Sequence, residues 1–432
     1  MLLKNCAFIL TQNKKREILR DNDVLIEQDK IVKIGKGFSK KNRQVIDCSN
    51  KIVLPGMINS HIHLPMTMFR GYLDSLPLRK WLSKVIELEK KLTKEKIYYG
   101  TLLGCLECIR FGTTTIADFY YFPFERAKAI EKSGLNGFLD STVMDKPLFF
   151  NNADDAIKNA EKFIKKYINH KYIKPIATAH SIYLCSNETL KKINNLSEKY
   201  DILKRIHISE TEKEFRETLS KYKNTPVEYL DSIGWLNEKT ILVHANWITN
   251  IEIRKIAGKK CKICHNPTSN LKLAYGKVMP LDKLIGNNVT VSVATDGPTS
   301  NNNLDIFEEL KLAALLNKFT SKVKISDQKI FDMANLSGAR TLGIESITGS
   351  IEPGKRADII TINLDKPHLY PINKNNSIIS HIIYCANGND VSETIVRGNL
   401  LMNNKKILDP DERRIINKVQ KLTGGEIIWK KN

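Results

Sequence analysis

Between residues 52 and 294 short apolar, β-branched runs alternate with longer amphipathic segments, eight times over. The runs span 52–58, 113–116, 137–139, 173–179, 203–208, 240–243, 260–264 and 289–294. Apolar runs this short read as buried strands, and strands separated by helices pair in parallel because each crossover covers a face of the sheet. The segment 77–91 carries Leu78, Leu82, Val85 and Leu88 at helical spacing. Helical stretches at 95–111, 153–167, 186–199, 226–233 and 281–285 fill other gaps, and two more follow at 306–317 and 326–340. Eight strands alternating with helices over about 250 residues is the pattern of an α/β fold of the (β/α)8 barrel class.

The two ends follow a different rule. Residues 1 to 52 read as a meander of short strands, broken at Asn13-Lys14-Lys15 and Gln28-Asp29-Lys30. Strand signals return at 357–362 and at 393–401, around Arg397-Gly398-Asn399. Neither set has partners of its own. One small β-sandwich built from both ends supplies them, so we expect 1–54 to form its first part, 55–350 the barrel, and 351–432 the return strands and a tail.

Composition narrows the function classes. The net charge of +21 is spread over lysine pairs such as Lys90-Lys91, Lys165-Lys166 and Lys430-Lys431. No basic block with interleaved aromatics accompanies it, which argues against a nucleic-acid binder. No window reaches the roughly 18 apolar residues of a membrane span. No basic start followed by an apolar stretch marks a secretory signal. The eight cysteines lie mostly in apolar runs, as reduced thiols do, so a cytoplasmic setting is expected. The pairs Cys105/Cys108 and Cys261/Cys264 fall in a predicted helix and a predicted strand, and read as structural.

In a (β/α)8 barrel chemistry sits at the C-terminal strand ends. Six of the nine histidines fall there: His61, His63, His180, His207, His244 and His265. His61 and His63 are two residues apart, so a strand aims both rings to one face. We read His61, His63, His207 and Asp296 as ligands of one divalent metal per subunit. Three imidazoles and a carboxylate suit Zn2+, with Fe2+ and Mn2+ open. Such a metal makes water nucleophilic at neutral pH. Glu210, three residues past His207, is placed to shuttle the proton. His244 is placed to contact that water or the charge it develops. Each residue has a plainer reading alone: a core histidine, a helix cap at Asp296, a solvated carboxylate at Glu210. Together these need four coincidences. No lysine ends strand four (Thr178-Ala179-His180), so a second metal is not expected. The His-x-Glu…Pro-Cys-x-x-Cys signature of the other zinc deaminases is absent.

These motifs resemble the amidohydrolase superfamily. Pro55-Gly56-Met57-Ile58-Asn59-Ser60-His61-Ile62-His63, Met66-Thr67-Met68-Phe69-Arg70-Gly71, Leu76-Pro77-Leu78, Trp81-Leu82 and Gly112-Thr113-Thr114-Thr115 are similar to its deaminases of 5′-deoxyadenosine, methylthioadenosine and S-adenosylhomocysteine. So are His180 with Tyr183-Leu184-Cys185-Ser186, His265-Asn266-Pro267 with Ser269-Asn270-Leu271-Lys272-Leu273, Thr295-Asp296-Gly297 with Ser300-Asn301-Asn302-Asn303-Leu304, and Glu352-Pro353-Gly354-Lys355-Arg356-Ala357-Asp358.

The resemblance implies hydrolytic deamination of a 5′-modified adenosine, with a place in recycling by-products of S-adenosylmethionine. It implies that Glu210 protonates N1 while water attacks C6, and that Asp296 shares in moving the proton. His244 would contact the forming oxyanion, Glu89 the ribose hydroxyls and His180 the nucleoside. Trp81 is similar to a pocket-wall aromatic, and helix packing accounts for it equally well. A homo-oligomer is implied, a homotetramer being one form. Two departures stand out. Where relatives that take S-adenosylhomocysteine carry arginines, this chain has Ser141, and 142–152 contains only Lys146; serine cannot form the bidentate pair with a carboxylate. Asn246 replaces a commoner cysteine or glycine. Guanine or s-triazine hydrolysis, and a non-catalytic nucleic-acid binder, are the competing readings.

Overall fold

Gly56 divides what the sequence presents as one apolar run. Before it, Lys51–Pro55 is a strand of a terminal sheet; after it, Met57–Ile62 is the first strand of the barrel. A Cβ at Gly56 would lie 2.2 Å from Thr114 Cγ2, so only glycine lets the two strands follow each other here. This computed structural model describes residues 1–72, 78–373 and 375–424. Pro77, the first residue of the predicted helix 77–91, Leu76 of the quoted motif and the end of the tail lie outside the described residues.

The barrel consists of two parallel sheets. Met57–Ile62, Thr113–Asp118, Asn136–Leu139 and Ile173–Pro175 make the first. Ala177–Ser181, Lys204–Ile208, Thr240–His244, Lys262–His265 and Thr290–Val293 make the second. Parallel bridges cross both seams, from Ile62 to Asp296 and from Val143 to Ala179. The chain thus has the (β/α)8 fold, with one correction: the predicted fourth strand is two strands that break at Ile176. Pro175 has no N–H to continue a ladder, and the chain passes from one sheet to the next at that point. Inside, Ile58, Ala117, Phe138, Ile176, Ile241, Val243, Cys264 and Ala294 form one apolar cluster with Ala339, Leu342 and Ile344.

The helix predicted over 326–340 is also two: Asp327–Asp332 and Leu336–Thr341. The carbonyls between them turn away to the barrel. Met333 O accepts from Val293 N at 3.2 Å, and Ala334 O from Ile58 N at 2.8 Å. Asn335 then caps the second helix with its side chain.

Both chain ends meet in one seven-stranded sheet. Its order is Lys406–Ile407, Asn399–Asn403, Val391–Val396, Ile359–Asn363, Lys51–Pro55, Phe8–Leu10 and Ile18–Leu19. A second sheet runs Lys30–Gly35, Asn22–Glu27, Leu2–Cys6 and Val45–Asp47. Leu3, Val24 and Ile26 of the second sheet share an apolar cluster with Ile9, Val53, Ile359 and Ile395 of the first. Among the described residues no helix is long and apolar enough to cross a membrane.

Candidate metal centre and active site

The donors come from the ends of the first, fifth and eighth barrel strands. His61 lies within Met57–Ile62, and His63 stands one residue beyond it, where the chain turns into the short helix Leu64–Phe69. His207 lies in Lys204–Ile208. Asp296 follows Thr290–Val293 with φ 62°, a left-handed backbone uncommon outside glycine; Ser209, His244 and Ala245 share that region. Left-handed backbone at non-glycine residues is a form of strain common at working sites.

Asp296 Oδ1 lies 3.1 Å from His63 Nε2 and 3.3 Å from His61 Nε2. His207 Nε2 lies 3.3 Å from His61 Nε2. His63 Nδ1 donates to Phe119 O at 2.5 Å, and His207 Nδ1 to His180 O at 3.0 Å. Each bond leaves the Nε2 lone pair facing the cluster, as metal-binding histidines require. Acceptor atoms so crowded repel one another unless a cation lies between them, so the donor set fits a divalent metal. Asp296 Oδ2 is held from outside by Ser269 Oγ at 2.6 Å and Ser300 Oγ at 3.2 Å.

Burial pushes His61 and His207 well below the usual imidazole range, toward the neutral form that ligates. Burial alone would raise Asp296, but the imidazoles of His61 and His63 beside it outweigh that and hold the carboxyl well below the usual range. His244 also approaches: His61, His207 and His244 each place a ring nitrogen within 4.8 Å of the others, as His61, His63 and Asp296 do with their donor atoms.

His244 is oriented from behind. Its Nδ1 lies 2.9 Å from Asn270 Oδ1 and 3.2 Å from Asn266 Nδ2, and its Nε2 3.7 Å from Glu210 Oε1. Asn270 Nδ2 donates to Asn246 Oδ1 at 2.9 Å, and Asn246 Nδ2 to the Glu210 carbonyl at 3.2 Å. Asn246, the departure noted above, thus ties the support of His244 to the backbone of Glu210. The Glu210 amide donates to Glu214 Oε2 at 2.8 Å.

Beneath the donors lies a buried charge network. Arg126 pairs with Asp118 at 2.8 Å and with Asp140 at 3.3 Å, and Arg205 pairs with Asp140 at 2.9 Å; none of the four is exposed. Asp118 also accepts from the Leu64 amide, next to His63, at 2.8 Å. Arg205 precedes His207 by two residues and binds the carbonyls of Ala117 and Asp118.

One cavity of about 570 Å³ is lined by His63, His207, Asp296, Glu210, His244 and His180 together with Glu89 and Trp81. Trp81, Val85 and Glu89 share one face of the helix Leu78–Glu89. Trp81 Nε1 is buried without a hydrogen-bond partner among the described residues. Burial pushes the Glu89 carboxyl up to about 7, against the pull of the Tyr120 hydroxyl and His63. Burial lowers His180 to about 3. Ser141 faces away, its Oγ accepting from Asn159 Nδ2 at 2.9 Å, whereas exposed Lys146 and Lys90 line the cavity.

Sequence reasoning missed Tyr275, whose hydroxyl donates to Glu210 Oε1, and the serines that hold Asp296. Ser269, Asn270 and Ser300 sat inside the motifs quoted above, but only the fold shows what they touch. Tyr275 carried no such signal. The paired cysteines Cys105/Cys108 and Cys261/Cys264 are buried free thiols.

The model of the amidohydrolase family matches residues 52–401. The chain is 41% identical to a 5′-deoxyadenosine deaminase of Methanocaldococcus jannaschii, over 98% of each chain. It is 41% identical to a 5-methylthioadenosine/S-adenosylhomocysteine deaminase of Thermococcus sibiricus, over 88% of this chain and 89% of that one. The solved structure of an adenosine deaminase from Xanthomonas campestris with bound zinc matches with a TM-score of 0.92 and 27% identity, covering 97% of both chains. This chain belongs to the amidohydrolase family.

Proposed function

We propose that this protein is a metal-dependent hydrolytic deaminase of 5′-modified adenosines, converting the 6-amino group to ammonia and leaving the inosine analogue. The observation that carries the reading is one cavity lined by the donor cluster, a carboxylate within reach of it, and a second buried carboxylate on a neighbouring helix. The relatives named above as deaminases of such nucleosides support it.

His61, His63, His207 and Asp296 would hold the metal, with Zn2+ the favoured ion for three imidazoles and a carboxylate. When bound, it supplies a Lewis acid that makes water nucleophilic at neutral pH. Glu210 accepts the proton of the attacking water and delivers one to N1, so that C6 becomes electrophilic. His244 presents Nε2 to the water. Glu89 accepts the ribose hydroxyls, Trp81 forms a wall with an indole N–H free to donate, and His180 contacts the nucleoside. Met144, Leu148 and Val85 give the cavity an apolar lining, and its only described cations are exposed lysines at positions 90 and 146. That lining favours a small or apolar 5′ group over an amino-acid carboxylate.

The test is ammonia release by metal-replete protein from 5′-deoxyadenosine, methylthioadenosine, adenosine and S-adenosylhomocysteine in parallel. We expect the apolar 5′ groups to be turned over best. Release from none of them, with release from guanine or an s-triazine, would overturn the assignment.

A further inference from the structure

The side chain of Glu210 is held by a residue outside the motifs of the site. Tyr275 follows the short helix Pro267–Lys272, and the chain reverses at Ala274, with φ 53°. The Tyr275 amide donates to Asn270 O at 3.2 Å, and its carbonyl accepts from Trp247 Nε1 at 2.8 Å. The loop is therefore pinned at both its amide and its carbonyl. The ring stands edge-on to His244, centroids 6.0 Å apart, and is 5% exposed. From there the hydroxyl reaches Glu210 Oε1.

A glutamate has three rotatable bonds, and two of its carboxylate lone-pair faces are equivalent until something distinguishes them. The backbone of Glu210 is fixed by Glu214 on one side and Asn246 on the other. Those bonds set where the side chain starts, not where it ends. Tyr183 also lines the cavity with its hydroxyl toward Glu210, but it is 42% exposed, so Tyr275 is the more deeply buried of the two phenols.

We propose that Tyr275 is a positioning residue for Glu210: by donating to Oε1 it fixes the orientation of the carboxylate for the proton transfer between water and N1. The proton that moves is the water's; the phenol keeps its own. This rests on the reading of Glu210 as proton shuttle.

The test is a double-mutant cycle on the metal-loaded enzyme with its best nucleoside substrate. Tyr275→Phe keeps the ring and removes the donor. It should lower kcat by roughly 10-fold to 100-fold, the worth of one hydrogen bond to a charged group. KM and bound metal should stay unchanged. In the Glu210→Gln background the same substitution should have no further effect, because the proton path it serves is gone. Trp247→Phe, which loosens the loop and leaves the phenol, should lower kcat in the same Glu210-dependent way. Equal losses in both backgrounds, a rise in KM at constant kcat, or unchanged kcat would overturn the proposal. Near-full turnover by Glu210→Gln alone would instead sink the reading of Glu210, a different result from any of these.

Discussion

Arg205 and Asp140 face each other at 2.9 Å with no exposure on either side, and Asp140 is shared with the equally buried Arg126. Charges this deep persist only when paired, because desolvation costs several kcal/mol per ion. Asp140→Ala would leave two guanidiniums with one carboxylate. We expect a loss of about 3–5 kcal/mol, read as a lower urea midpoint at unchanged m-value. Asp140→Ala at parental stability would mean the network is solvated and structurally idle.

Glu210→Gln preserves size and removes the base. Turnover should drop by roughly 100-fold to 10,000-fold, the range for general acid–base catalysis, while bound metal remains stoichiometric. Metal analysis run beside the kinetics separates this from loss of the site.

Glu89 gives a pH signature. Its carboxyl is pushed up to about 7 by burial. Only the ionised form accepts two ribose hydroxyls, so KM for ribonucleosides should fall as pH rises through about 7. Glu89→Gln should flatten that dependence. Glu89→Ala should cost more on ribo than on 2′-deoxy substrates, and equal losses would count against the ribose role.

Glu309 gives a stability signature. It is fully buried, accepts from Asn301 Nδ2 at 2.6 Å and from the Thr268 amide at 3.1 Å, and burial raises it from 4.5 to about 8. A raised carboxyl pKa means the folded state holds more protons between those two values. Its contribution is therefore present at low pH and lost as pH rises through that window. Glu309→Gln has no such proton to lose, so its stability relative to the parent should improve from pH 5 to pH 8. Parallel unfolding curves at both pH values would refute this.

Chelation tests the donor cluster. Removing the divalent ion should abolish turnover and lower the melting temperature, since a ligand bound only by the folded state stabilises it. His207→Ala should copy the chelated enzyme and resist rescue by added Zn2+.

Much of this was legible in the chain because strands and helices announce themselves through local period. The eight runs and the histidines at their ends needed no tertiary knowledge. What was hidden depends on pairing across distance. Asp140 reads as a strand-end carboxylate until Arg205, 65 positions away, meets it. Tyr275 reads as a loop tyrosine until Ala274 turns it toward Glu210. Asn246 stood out as unusual, yet its two hydrogen bonds, to Asn270 and the Glu210 carbonyl, could not be inferred from type alone. Pro175 was visible, but a reader of apolar runs passes over a missing N–H.

Gly56 leaves no slack between two sheets. One peptide unit separates a strand clamped by the chain's C-terminal half from the strand that carries His61 five residues later. A spacer of that length transmits displacement rather than absorbing it. A shift of the strand Lys51–Pro55 is therefore passed on to the strand that carries His61. An insertion of flexible residues at this point would uncouple the two sheets while each kept its own strand pairing.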